Sequence, residues 1–205
     1  MHKVEIPAGA FKAVALAAGR QDIRYCLNGM LIEQAEDGLY LVASDCHRMH
    51  AMRVRQDVVL PVGSQVIVPN DAIAKIKPSR HMPTMTVEIA DDLRTGVLAF
   101  FGDRFEWTAC EGRYPDWRRV LPREATIDGG GASFNADYLA DVSKAAVLMG
   151  SRKGTDAVPQ LAFAGQRGAV RALIQGQPEF IAVIMPQTHK ADGKDVTLAA
   201  PVWVR

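Results

Sequence analysis

Ala43-Ser44-Asp45-Cys46-His47-Arg48-Met49 is the stretch on which this sequence turns. Before it, Gly29 to Glu33 and Leu39 to Ser44 read as two strands of a hairpin, with Glu36-Asp37-Gly38 as the turn. After it, His50 to Arg55 alternates polar and apolar residues, the pattern of a half-buried strand. Two further segments carry weight with it. One is Asp22-Ile23-Arg24-Tyr25-Cys26-Leu27-Asn28-Gly29-Met30-Leu31. The other is Gly112-Arg113-Tyr114-Pro115-Asp116-Trp117-Arg118-Arg119-Val120-Leu121-Pro122. Tyr114 precedes a proline, so the chain is expected to be extended there. Trp117 and Val120 are expected to pin that end against a sheet, and Asp116 to pair with Arg113, Arg118 or Arg119. A fourth piece is Val183-Ile184-Met185-Pro186.

A weak internal repeat organises the chain around these segments. Each unit opens with a short strand and continues through a helix start, a helix and several strands. Val4-Glu5-Ile6-Pro7 opens the first unit. Proline suits the first helical turn, Phe11, Val14, Ala15 and Ala18 follow at helical spacing, and Gly19 is expected to end the helix. Gln65-Val66-Ile67-Val68-Pro69-Asn70 opens the second, with a short helix over about Asp71 to Lys77 stopped by Pro78. Ala132-Ser133-Phe134-Asn135 opens the third. Asn135 is a good N-cap, and Tyr138, Leu139, Val142, Ala145, Ala146 and Met149 form one apolar face. Strands are expected at Thr84 to Ile89, Thr95 to Phe101, Arg104 to Ala109, Gln160 to Ala164, Ala169 to Ile174 and Glu179 to Ile184. Short strands with one helix per unit give an α+β architecture. Residues 123–131 read as a linker, and Val196 to Val204 as one further strand.

Taken together and in order, the four segments resemble the bacterial beta sliding clamp family, whose rings tether DNA polymerase III to its template. The resemblance implies the DNA-clamp fold: repeated strand–helix–strands units, helices lining a ring and antiparallel sheets outside. Residues 1–124 look like one complete domain, the family's middle one. Residues 125–188 look like the second half of the last domain, and residues 189–205 form a C-terminal tail. The family's ring has twelve units from two chains. Three units per chain therefore imply a homo-tetrameric ring, closed by head-to-tail contacts in which the next subunit completes the half domain.

The same resemblance places two sites. A hydrophobic pocket that receives short peptides of polymerase and clamp loader would comprise Leu27, Ser44, Cys46, His47, Arg48, Met49, Pro115, Arg119, Val120, Val183, Ile184, Met185 and Pro186. Apolar side chains would bury the peptide's anchors, and Arg48 and Arg119 would orient its polar groups. Leu27, Val120 and Ile184 are in addition expected to pack in the core. Cys46 stands where the family usually has glycine, and Gln187-Thr188 where it usually has Met-Arg. The second site is a duplex-DNA surface of Lys12, Arg20, Gln21, Arg24, Tyr25, Lys75, Lys77, Arg80, Lys144, Arg152 and Lys153, with sequence-independent phosphate contacts. Asp71, Asp137 and Asp141 on the same helices oppose that reading.

Composition bounds these expectations. The chain has 205 residues, 48% hydrophobic and 23% charged, as in an ordinary globular protein. With 24 basic and 23 acidic residues the formal charge is +1, so DNA contact must come from uneven charge distribution. No apolar run is long enough to span a membrane. The start lacks a signal-like region, and three dispersed cysteines suggest reduced thiols in a cytoplasm. Metal binding by Cys46, His47 and His50, with Cys26 and Cys110, finds no CxxC or HExxH spacing, and on a strand Cys46 and His47 would face opposite sides. Asp128-Gly129-Gly130-Gly131 lacks the lysine of a phosphate loop. The expectation is a non-catalytic processivity factor without a cofactor. The competing reading is a clamp-fold adaptor that binds the same peptides without encircling DNA.

Overall fold

In the computed structural model, residues 1–77, 84–121, 133–164 and 168–187 are described in full, and residues 189–191 and 194–196 by their backbone. The expected linker, Arg80, all but the first residue of the strand expected at Val196 to Val204 and most of the tail lie outside them.

Strand–helix–three-strand order repeats as expected in the first two units; the third, among the described residues, shows a helix and three strands, with only an isolated bridge from Ser133 to Gln187 where an opening strand was expected. The first unit is β1 (His2–Pro7), α1 (Ala8–Ala15), β2 (Gly29–Ala35), β3 (Gly38–Ser44) and β4 (Arg48–Val54). The second is β5 (Gln65–Pro69), α2 (Asn70–Lys75), β6 (Thr84–Ile89), β7 (Thr95–Phe100) and β8 (Asp103–Thr108). The third is α3 (Ala136–Leu148), β9 (Pro159–Phe163), β10 (Val170–Ile174) and β11 (Phe180–Ile184). Two short strands, β12 (His189–Ala191) and β13 (Lys194–Val196), pair with each other.

The first two units exchange their opening strands. β1 pairs antiparallel with β6, Pro7 opposite Thr84, and β5 pairs with β2, Pro69 opposite Gly29. One sheet therefore runs β1-β6-β7-β8. The other runs β5-β2-β3-β4-β11-β10-β9, because β4 also pairs antiparallel with β11. That pairing joins the first unit to the third within one seven-stranded sheet.

The three helices pack on one side of the sheets. Their core includes Phe11, Val14, Ile73, Val142 and Phe180 with Trp107. Asn135 caps α3, its Oδ1 accepting from the Asp137 N–H at 2.9 Å. Val142, Ala145 and Ala146 are buried on the expected face. α1 departs from its expected end. It stops at Ala15, and the next turn is tighter, Ala17 N–H to Val14 O and Ala18 N–H to Ala15 O. Gly19 is needed for close approach instead. Its N–H donates to Leu27 O, and a Cβ there would stand 3.0 Å from that oxygen. α2 likewise stops at Lys75, short of Lys77. No helix among the described residues is long and apolar enough to cross a membrane.

Candidate functional site

A second, smaller core lies on the opposite face of the seven-stranded sheet from the helices. Strand alternation decides its members. On β4, Met49 and Ala51 point to this face, while His50 points to α1, with Nδ1 2.8 Å from Ala13 O. On β11, Val183 points out with Met49, which it faces in register, while Ile184 is fully buried on the helix side. The Met185 N–H donates to His47 O at 3.0 Å, which brings the Met185 side chain to the rim.

Above this core lies a pocket of about 150 Å³. Its floor is apolar and buried: Leu27, Met49, Tyr114, Trp117 and Val183. Val120 and Met185, 46% and 41% exposed, stand at its mouth. Ser44, Cys46, Arg48, Pro115 and Asp116 complete the lining. Nine of the residues expected from the sequence thus meet at one cavity: Leu27, Ser44, Cys46, Arg48, Met49, Pro115, Val120, Val183 and Met185.

Four expected residues do not line it. Ile184 is on the wrong face of β11. His47 and Arg119 are exposed and Pro186 is half-buried, all outside the lining. Val120 is a second correction: it sits at the open mouth, not in the core. Tyr114, Asp116 and Trp117 were missed. The signal for the aromatics was present, since Tyr114, Trp117 and Val120 recur every third residue, and Trp117–Val120 is a 3-10 turn that eclipses such positions.

That turn is anchored by Glu33. The Trp117 Nε1–H donates to Glu33 Oε2 at 2.8 Å and Arg118 Nη1 donates to the same oxygen at 2.7 Å. The Arg118 guanidinium lies over the rings of Trp117 and Tyr40, at 4.2 and 5.1 Å. Burial would raise the Glu33 pKa, but bonds from Trp117, Arg118 and Gln65 outweigh it and hold it below the usual range. Arg118, one of the three arginines expected as partners of Asp116, therefore goes to Glu33. Burial pushes the Tyr114 hydroxyl well above its ordinary value, so it stays neutral.

Arg48 lines the pocket, and its guanidinium is also engaged within the protein. The Asp45 carboxylate accepts from the N–H groups of His47 and Arg48 and from Arg48 Nε at 3.1 Å. Arg48 Nη1 reaches Asp141 on α3, which also accepts from Lys144 Nζ at 2.7 Å. The guanidinium carbon lies 4.6 Å from the centre of the Tyr138 ring. Burial would raise the Asp141 pKa, and Lys144 and Arg48 reverse that and lower it. Arg48 thus ties the first unit to the third through Nε and Nη1.

Asp45, Cys46 and His47 form the turn between β3 and β4, not a strand as the alternation argument assumed. Cys46 has φ +70°, the left-handed region that favours glycine. Its Sγ accepts from Arg24 Nη1 at 3.0 Å. Cys46 and His47 are exposed, whereas His50 is fully buried beneath α1.

The expected basic surface is more heavily neutralised than the sequence suggested. Lys12 Nζ donates to Ile73 O at 3.0 Å and ties α1 to α2, and burial lowers its pKa. Arg24 pairs with Asp22 at 2.7 Å, Lys144 with Asp141, and Arg152 with Asp156 at 2.9 Å. Lys75 sits 5.9 Å above the Phe105 ring. Arg20, Gln21, Lys77 and Lys153 are exposed, as is Tyr25 at 75%. Gln21 has φ +55° at the head of a loop pinned by Asn28, whose Nδ2 donates to Asp22 O at 2.7 Å.

Exchanged opening strands, helices on one side and a pocket on the other define a class: repeated-unit α+β proteins with an apolar receptor site on the sheet face. The chain belongs to the DNA polymerase III beta subunit family, whose central-domain model matches residues 5–116. Curated relatives include the beta sliding clamp of Proteus mirabilis, 33% identical over 119 residues, which are 56% of this chain and 31% of that protein. The beta sliding clamp of Escherichia coli K12 is 33% identical over 115 residues, 55% of this chain and 30% of its own length. The chain thus spans about a third of the curated relatives it matches. Among solved structures, a Pseudomonas aeruginosa DNA polymerase sliding clamp crystallised with ligand covers 91% of this chain and 66% of its own, at 18% identity and TM-score 0.69. DNA polymerase III subunit beta of Borrelia burgdorferi, in complex with a natural product, covers 92% and 63%, at 16% identity and TM-score 0.70. These structures share the fold.

Proposed function

We propose that this chain is a non-catalytic sliding clamp, a polymerase processivity factor whose pocket takes short hydrophobic peptides of polymerase and clamp loader. The observation that carries the reading is convergence on one cavity. Residues from the first unit, from Tyr114 to Val120 and from β11 and its end meet there, on a shelf of buried apolar side chains with exposed Met185 at the mouth. Such a shelf suits an apolar anchor, and methionine adapts to varied ones. The domain division at residues 1–124, 125–188 and 189–205 goes with this reading, as does a homo-tetrameric ring of twelve units around duplex DNA.

The test uses a fluorescent peptide with two apolar anchors, titrated by anisotropy. Met185→Asp and Val120→Asp place charge at an apolar mouth and should each weaken binding at least tenfold without changing the native mass. Unchanged affinity in both would remove the pocket. The adaptor reading is favoured by one observation, the pairing of Arg24, Lys144 and Arg152 with the chain's own carboxylates. Retention on circular plasmid, lost when the plasmid is linearised, distinguishes encirclement from an adaptor.

A further inference from the structure

β8 ends the four-stranded sheet, and over Asp103 to Thr108 no described strand pairs with its outer edge; just beyond it the Cys110 N–H donates to Ile67 O of β5. It closes the second unit as β4 closes the first and β11 the third. Those two equivalents do pair, antiparallel and edge to edge. The Ala109 N–H donates to Arg94 O, beside β7. Backbone groups alternate along a strand, so those of Phe105 and Trp107 face β7 and those of Arg104, Glu106 and Thr108 face outward. β4 presents its edge in the same way. Arg53, in step with Met49 and Ala51, donates to Glu179 O, and those two side chains point away from the helices.

The edge reads Asp103-Arg104-Phe105-Glu106-Trp107-Thr108. Arg104 and Glu106 are exposed, and Phe105 is half-buried. Charges on an edge strand discourage indiscriminate pairing. Here the signs alternate among the outward-facing residues, so they also select a register. If β8 meets β8 of a second copy antiparallel, only registers that place outward-facing residues opposite each other form hydrogen bonds. Setting Glu106 opposite itself, or Arg104 opposite itself, opposes like charges. Setting Phe105 opposite itself places Arg104 against Glu106 of the second copy twice over, in two hydrogen-bonded pairs. Arg104 bonds both Glu88 oxygens, from Nη1 at 3.4 Å and Nη2 at 2.6 Å, and is 56% exposed, which leaves Nε and the second N–H of each terminal nitrogen for a partner.

We propose that β8 is a self-complementary edge that pairs antiparallel with β8 of a second copy about a two-fold axis through Phe105. This deepens the clamp reading, on which it rests for a ring, and replaces a head-to-tail contact at this edge with an isologous one. Two units on either side of the axis then repeat the joint that β4 and β11 make within the chain.

The test is charge reversal in the full chain, with mass followed by sedimentation across protein concentrations. Arg104→Glu sets acid against acid and Glu106→Arg sets base against base at both pairs. Each should weaken self-association about thirtyfold, as two attractions become repulsions. The double variant R104E/E106R restores opposite charges and should regain the wild-type mass. Mixing the two single variants should also restore association, because one edge is then wholly acidic and the other wholly basic. Failure of both rescues, with the variants still folded by circular dichroism and still binding the anchor peptide, overturns the β8 contact and leaves the clamp reading standing. So does association that neither single variant weakens. A wild-type chain that stays monomeric at all concentrations overturns the contact and the ring together.

Discussion

His50 makes acid a specific probe of the joint between the first and third units. Its ring is fully buried, lies edge-on to Phe180 at 5.2 Å between centroids, and has Nδ1 2.8 Å from Ala13 O. Burial, the largest influence, lowers its pKa from 6.5 to about 4, against the smaller opposing effect of the bond to Ala13. As pH falls through 6.5 the unfolded chain takes up a proton at this position, and the folded chain resists until about pH 4. The stability contributed by a neutral His50 is therefore fully present above pH 6.5 and is lost as pH falls toward 4. The full gap is worth about 3 kcal/mol, and about 2.5 kcal/mol of it is gone at pH 4.5. The assay is urea unfolding by tryptophan fluorescence at pH 7 and 4.5, for the wild type and His50→Gln. Glutamine can still donate an N–H toward Ala13 and does not titrate. Carboxylates that protonate in the same range, such as Asp141 and Glu33, act in both proteins and cancel. The wild type should lose about 2.5 kcal/mol more than the variant between the two pH values. Parallel losses would refute the argument that burial keeps His50 neutral.

Two other substitutions read the pocket's supports. Cys46→Gly should be more stable than Cys46→Ala by about 1 kcal/mol in thermal or urea unfolding, because only glycine is relaxed at φ +70°; equal stabilities would mean the turn relaxes. Trp117→Phe should cost about 1.5 kcal/mol, since it removes the indole bond to half-buried Glu33. It should also raise the Glu33 pKa toward its ordinary value, and an unshifted Glu33 titration would show that Arg118 and Gln65 suffice.

Most elements were legible because their signals are local. The edges of β6 at Thr84 and Ile89, the Asn135 cap and the buried face of α3 follow from periodicity and capping chemistry. The end of α1 was misread because Gly19 is required by the approach of Leu27, not by a helix cap. At the pocket, a residue's type and its neighbourhood in sequence sufficed for Leu27, Met49 and Val183. They did not suffice for Ile184, whose face depends on the register of β11 against β4.

By itself the sequence determined the repeat, the α+β class and the four segments that meet at or near the pocket, because these rest on spacing along one chain. The partners of each charge were decided only in three dimensions. Arg48 reaches Asp141 across 93 positions, Arg118 reaches Glu33 across 85, and Lys12 bonds a carbonyl 61 residues away. A cation's role depends on which carboxylate the fold brings within hydrogen-bond distance. Long-range pairing of that kind leaves no periodic mark, so an expected basic surface became in part a set of internal ties.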